Sequence, residues 1–283
     1  MFARLAILAP GLLGGSVALA ARHCGVAREV AVWARRPEVR QDLRQQPWGQ
    51  AVADTPGEAV RGADLVVVCS PVDSIVPLVQ EIAPVLATGA LVTDVGSVKA
   101  EICRLATAAA GGSRFVGSHP MAGSEKTGWE HARADLFAGR RVFVTPLAET
   151  GAGVAGRVAA FWTALGAEVA TVAPEQHDEI VAHISHLPQL LASTLCSCLA
   201  RQDLRWRDFA GGGLRDTTRI AGSDPKLWKT IFAQNRTEVL RALHGYQEEL
   251  RRFEAALARG DWTEVQAIHE RGRAYREPLR TTP

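Results

Sequence analysis

Cysteine is scarce and odd in number, 5 in 283 residues, and no two fall at a metal-ligand spacing. Cys196 and Cys198 sit two apart in an expected helix, so they point to different faces and cannot chelate together. A disulfide framework is excluded, and a reduced, cytoplasmic setting is expected. Excess charge is also missing: 32 Lys and Arg against 30 Asp and Glu give a net charge of +2, which argues against a whole-surface nucleic-acid footprint. No apolar run is long enough to span a membrane. The first twenty residues have the outline of an export signal, with Arg4, an apolar run and Ala18-Leu19-Ala20. Pro10, Gly11, Gly14 and Gly15 interrupt that run, however, and it continues into a strand–helix–strand pattern. It is read as folded structure. What remains is 47% hydrophobic and 22% charged residues, the balance of a globular protein with a core and length for two ordinary domains.

Short apolar strands alternate with helical stretches over the first 170 or so residues. The strand-like runs are Leu5–Ala9, Val30–Trp33, Leu65–Cys69, Leu91–Val95, Phe115–Gly117, Arg141–Thr145 and Glu168–Val172. Several, such as "LVVVC", are continuous, which suits a parallel sheet covered on both faces. Ser16–Cys24 and Ser74–Leu86 read as helices between them. After Pro174 the pattern turns helical. Glu175–Ala200 reads as one helix kinked near Pro188, and a Gly-rich connector, "FAGGGLRDTTRIAGSDP", follows. A helix from Lys226 carries Leu240, Leu243, Leu250, Phe253 and Leu257, a stripe that must bury against something. Gly260 ends it, and Asp261 caps a last helix from Trp262. The expected architecture is an N-terminal Rossmann-type doubly wound, mostly parallel sheet over residues 1–173. An all-helical domain over residues 174–283 follows, with a homodimer as the expected use of its apolar stripe.

Two further absences bear on ligands. "AILAPGLLGGS" nearly spells the dinucleotide fingerprint G-x-G-x-x-G, but Ala9 stands at the first glycine. Gly11 and Gly14 fill the second and third places, which allow backbone approach to a pyrophosphate and close helix–strand packing. A residue before proline is pushed towards extended geometry, and Pro10 fixes its own φ near −65°. We therefore expect proline to supply the turn by constraint. The second strand ends in "VWARRPE", with Ala34 where an NAD site usually has an acid. Arg35 and Arg36 follow, and two guanidiniums without a carboxylate favour a 2′-phosphate, hence NADP over NAD. We add Leu12 and Leu13 in the turn, and Ser70, Pro71 and Asp94 after the next strands, to the candidate cofactor-binding set.

Two more stretches, "TDVGSVKAEI" and "VGSHPMAGSEKTG", lie at strand ends, where open α/β sheets place their sites. Ser97 and His119 are thereby candidates to face one crevice, and a histidine there can take a hydroxyl proton as hydride leaves carbon. A third, "GGGLRDTTRIAGSDPKLW", offers Arg215 and Arg219 in a glycine-lined loop, either a carboxylate clamp or a surface connector. With "GLLGGS", "DVGSVK", "GSHPMAGSEKTG" and "SHLPQ" in this order, most of the chain resembles the prephenate/arogenate dehydrogenase family, the enzymes that make the tyrosine ring by oxidative decarboxylation. The resemblance implies that His119 is the catalytic base, that Ser97 orients it, and that Arg219 binds a substrate carboxylate. It places Ser124, Glu125, Ser185, His186, Asp216 and Trp228 near the substrate or its gate. It also implies a nicotinamide cofactor, a small-molecule substrate and a homodimer, with no metal, nucleic acid or membrane.

Two departures stand out. Ala9 replaces the usual glycine, and Gln189 stands where many members have a second histidine, at the end of the substrate that distinguishes prephenate from arogenate. Two alternatives stay open: a β-hydroxyacid-type dehydrogenase, which predicts a lysine in the helical half, and a non-catalytic NADP-binding sensor.

Overall fold

The computed structural model describes residues 2–46, 48, 51–112, 114–123 and 128–280. The apolar run at the start is built into the sheet. It is β1 (Phe2–Leu8), which pairs in parallel with β2 (Ala27–Trp33) on one side and β4 (Leu65–Val68) on the other. Leu5, Ala6, Ile7 and Leu8 are fully buried, as a strand covered on both faces requires. With β3 (Ala51–Val52) and β5 (Leu91–Asp94) the sheet order is β3-β2-β1-β4-β5, all parallel. The helices α1 (Leu12–His23), α2 (Pro37–Arg44), α3 (Pro56–Val60), α4 (Val72–Ile82) and α5 (Ala100–Ala109) follow the strands in turn. The short α3 is opened by a Thr55/Glu58 capping box.

A second sheet of order β6-β7-β8 comprises β6 (Gly117–Pro120), β7 (Arg141–Thr145) and β8 (Glu168–Thr171), with α6 (Ala152–Ala164) between the last two. β6 runs antiparallel to β7. The strand expected at Phe115–Gly117 is displaced. Phe115 makes only a bridge to Val92 in the large sheet, and the strand proper begins at Gly117. His119 thus sits on the strand that follows the seam between the two sheets.

The remaining chain is helical: α7 (Pro174–Val181), α8 (Leu187–Leu199), α9 (Gly212–Thr218), α10 (Pro225–Gln234), α11 (Arg236–Arg259) and α12 (Trp262–Arg276). Between α7 and α8 lies a π-helical turn, Ala182–His186. Pro188 has no N–H to close a helical hydrogen bond, and the widened turn accommodates that loss. The helix expected to run unbroken from Lys226 is interrupted at Asn235. Asp224 and Asp261 cap α10 and α12 through their side chains, and Gly260 ends α11 at φ 66°. Of the leucine stripe, Leu240, Leu250 and Leu257 remain exposed on the single chain.

One expectation is overturned at the first turn. Ala9 is not extended: its φ is 61°, the only positive value outside glycine among the described residues. Its N–H donates to the Trp33 carbonyl at 2.7 Å, and its own carbonyl accepts from Gly11 N–H at 2.9 Å. Those two bonds override the pre-proline preference and leave an alanine in a glycine conformation. Ala9→Gly is expected to raise stability by about 0.5–1 kcal/mol after the entropic cost of glycine. Ala9→Val should lower it, because a β-branched residue tolerates that φ least. Urea midpoints in the order Gly, Ala, Val check this, and a glycine variant less stable than the parent would contradict it.

Candidate active site

Two cavities lie along the carboxyl ends of the large sheet's strands. The smaller, about 440 Å³, is bordered by Ala9, Pro10, Gly11, Ala34, Arg35, Arg36, Ser70 and Pro71. The larger, about 880 Å³, is bordered by Leu12, His119, Ser185, Gln189, Arg219 and Trp228 among others. Gly11 and Leu12 are consecutive, so the two spaces adjoin at the mouth of α1.

The smaller cavity has the features of a dinucleotide cradle. Helix α1 opens with no side chain capping its first N–H groups and no acid in its first turn, which leaves a donor-rich, positive helix end. A Cβ built on Gly11 would meet nothing within 4 Å, whereas one on Gly14 would lie 2.9 Å from Cys69 Cβ. Gly11 therefore leaves room for a ligand, and Gly14 lets α1 lie against the sheet. Leu13 packs against the core instead of facing the cavity. Arg35 and Arg36 are exposed at the rim. Arg40, which sequence reasoning missed, braces them by donating to the carbonyls of Ala34 and Arg35 at 2.9 and 3.1 Å. The nearby acid, Asp54, is engaged by Arg44 at 2.6 Å and Arg40 at 3.4 Å. The Arg44 hydrogen bond holds its carboxyl below the usual carboxylate range.

Asp94 does not belong to this cradle. It is fully buried and pairs with the equally buried Lys99. Its Oδ2 accepts from Gly96 N–H at 2.8 Å and its Oδ1 from Ser118 N–H at 3.0 Å. Enclosed among protein donors, it ties the end of β5 to β6 and borders neither cavity. Ser97 lies on the same turn, partly buried, and borders neither cavity.

In the larger cavity His119 is held by a residue the motif reading did not single out. Its Nδ1 lies 2.9 Å from His177 Nε2, and His177 Nδ1 lies 2.8 Å from Asp178 Oδ1. Asp178 in turn accepts from the N–H groups of Lys99 and Ala100 at 2.7 and 2.9 Å, at the start of α5. The order of donors follows from the carboxylate. It only accepts, so His177 carries its proton on Nδ1. The neutral His177 then presents a bare Nε2, so His119 must donate from Nδ1. The lone pair of His119 is thereby placed on Nε2. Burial drives the His119 pKa well below the ordinary imidazole range, and His177, Lys99 and His186 push the same way. Burial also lowers His177, against the opposing effect of its hydrogen bond to Asp178. Both rings are neutral at pH 7. The side chain that hydrogen-bonds His119 Nδ1 is thus His177, whose only sequence signal is a His-Asp pair just after Pro174.

Of the other expected residues, Ser185, Gln189, Arg219 and Trp228 border the cavity with His119. Gln189 is 3% exposed and donates from Nε2 to Ser193 Oγ at 3.3 Å. His186 is buried behind the cavity wall, edge-on to the Trp228 ring at 5.8 Å. Asp216 is exposed on α9 and is not at the cavity. Ser124 and Glu125 lie outside the described residues.

Two family models match the chain: "Prephenate dehydrogenase, nucleotide-binding domain" over residues 17–171 and "Prephenate dehydrogenase, dimerization domain" over residues 173–270. A cyclohexadienyl dehydrogenase of Zymomonas mobilis is 31% identical over 265 residues, covering 92% of this chain and 90% of that protein. The crystal structure of Aquifex aeolicus prephenate dehydrogenase with hydroxyphenyl propionate and NAD+ superposes with a TM-score of 0.92 at 28% identity, covering 99% of both chains. That of Synechocystis arogenate dehydrogenase gives 0.86 at 25% identity, covering 98% of this chain and 99% of that one.

The buried histidines link stability to pH. An unfolded histidine titrates near the ordinary value of 6.5, while burial lowers His119 and His177 and brings His186 to about 4. The unfolded chain therefore takes up these protons first as pH falls. Stability from keeping the rings neutral is complete above pH 6.5 and is lost on acidification towards pH 4. We expect the unfolding free energy to fall from pH 7 to pH 5, by up to about 1.4 kcal/mol per pH unit for each ring, carrying the urea midpoint down with it, and less steeply in His186→Gln. A midpoint flat over that range would contradict a neutral buried cluster.

Proposed function

The chain belongs to the prephenate dehydrogenase family, and on that premise we propose that it oxidises and decarboxylates prephenate, arogenate or both, with NADP preferred over NAD. The observation that carries the mechanism is the Asp178–His177–His119 chain, which ends at Nε2 of a histidine bordering the larger cavity. Gly11, Arg35, Arg36, Ser70 and Pro71 would hold a nicotinamide cofactor, which would supply the hydride acceptor. His119 Nε2 takes the proton of the substrate's ring hydroxyl, and His177 keeps the ring from turning as that charge develops. A neutral imidazole with a depressed pKa is free to accept, and Asp178 stabilises the cation that results through His177. Arg219 binds a carboxylate of the substrate, and Trp228 and Ser185 complete the wall. Loss of carbon dioxide aromatises the ring and makes the step effectively irreversible. Gln189 faces the substrate side chain as an uncharged amide, which suits either the keto or the amino form.

The NADP preference is supported by the exposed Arg35 and Arg36, the absence of an acid at Ala34, and the commitment of Asp54 to Arg40 and Arg44. We assign cofactor binding to residues 1–173 and the substrate wall and dimerisation to residues 174–283. In the helical part, exposed Phe209, Leu250 and Leu257 are apolar surface for a second copy to cover. Five free thiols suit a cytoplasmic location.

Purified protein is expected to reduce NADP with prephenate or arogenate and to release carbon dioxide. His119→Asn should retain cofactor binding and lose turnover by about 100-fold or more, in line with removal of a general base. A variant as fast as the parent would overturn the assignment. Arg35→Ala with Arg36→Ala should raise KM for NADP by about tenfold or more while leaving KM for NAD nearly unchanged. Equal losses would count against 2′-phosphate recognition.

A further inference from the structure

Asp178 controls a second histidine through its other polar end. Asn235, 4% exposed at the break between α10 and α11, donates from Nδ2 to the Asp178 backbone carbonyl at 2.8 Å. A carbonyl oxygen only accepts, so the amide side that faces it is the NH2 group. The same Nδ2 lies 3.1 Å from His186 Nδ1. A donor at that position requires a lone pair on Nδ1, so the proton of the neutral ring sits on Nε2. That nitrogen is buried and has no hydrogen-bond partner among the described residues. A buried donor without an acceptor is costly and rarely retained without a use. His186 stands between Ser185 and the cavity-facing Gln189 in sequence, and its ring meets the edge of Trp228 on the same wall.

We propose that Asn235 is a positioning residue: its amide locks His186 as the Nε2–H tautomer, so that a hydrogen-bond donor stands directly behind the Ser185, Gln189 and Trp228 wall for an oxygen acceptor on a ligand that reaches between those side chains, and His186 does not compete with His119 as a base. The donor role rests on reading the larger cavity as the substrate site; the tautomer rests on the protein's own hydrogen bonds. The two neighbouring histidines then divide the work, one presenting a lone pair and the other a proton. Both states are written by Asp178, through its carboxylate in one case and its carbonyl in the other.

The test is a long-range 1H–15N spectrum of the full-length protein labelled at histidine nitrogen, with the His186 signals identified by their loss in His186→Gln. Nδ1 is expected to resonate as a bare nitrogen and Nε2 as a protonated one. In Asn235→Leu the His186 pattern should become mixed or reversed, while the His119 and His177 signals, which report that the variant is folded, stay in place. A protonated Nδ1 in the parent protein overturns the lock outright. Activity tests the donor separately. His186→Gln, which keeps an N–H near the position of Nε2, is expected to retain most of kcat/KM, and His186→Leu to lose about 10–100-fold. Equal behaviour of the two variants overturns the donor role. An intact Nε2–H pattern in a protein without turnover would support the lock and overturn the assigned reaction instead.

Discussion

The site depends on one buried acidic residue, Asp178, and on the fact that a carboxylate can only accept. Its oxygens take the N–H groups at the start of α5 and the imidazole N–H of His177. The charge is solvated by protein donors instead of water, which makes it tolerable inside the fold and strengthens each bond in the low-dielectric surroundings. Because the Lys99 and Ala100 donors come from the N-terminal half and Asp178 itself from α7, those two contacts dock the first helix of the helical half onto the strand-bearing half. Without that carboxylate His177 would have no reason to hold its proton on Nδ1, and the orientation of His119 would lose its source.

A second buried acid, Asp94, does complementary work. Paired with Lys99 and accepting from the backbone of Gly96 and Ser118, it joins the last strand of the large sheet to the strand that carries His119. Lys99 is shared between the two acids, since its ammonium meets Asp94 and its backbone N–H meets Asp178. The "DVGSVK" stretch is therefore a scaffold on which two carboxylates position a histidine.

Much of this was legible in the primary structure, and the part that was not has a common cause. Continuous β-branched runs forecast a parallel sheet because burial on both faces leaves no room for polar alternation. The helix start at Asp261 was readable because a cap is a local interaction of two or three residues. Gly11 and Gly14 were readable because the turn they serve is local too. The handedness of Ala9 was not, because the Trp33 carbonyl that holds its N–H belongs to another strand. Ser97 stands out in the sequence because it lies in a recognisable motif, whereas His177 carries no motif and reaches the His119 ring from 58 residues away. Asp94 looked available at a strand end until the fold supplied its donors, and Asn235 interrupts a helix that hydrophobic spacing alone would run straight through.

The bridge between the two sheets has a wider consequence. Val92 N–H donates to the Arg114 carbonyl at 2.8 Å, and the Val92 carbonyl accepts from Val116 at 2.9 Å, so the span from the β1–α1 turn to His119 is gauged by peptide backbone. The other side chains bordering the larger cavity, among them Ser185, Gln189, Arg219 and Trp228, in contrast, hang from the helical half. Side chains there can be exchanged during divergence without shifting His119, which gives this architecture freedom to reshape one wall of the cavity while the geometry of the opposite wall stays constant.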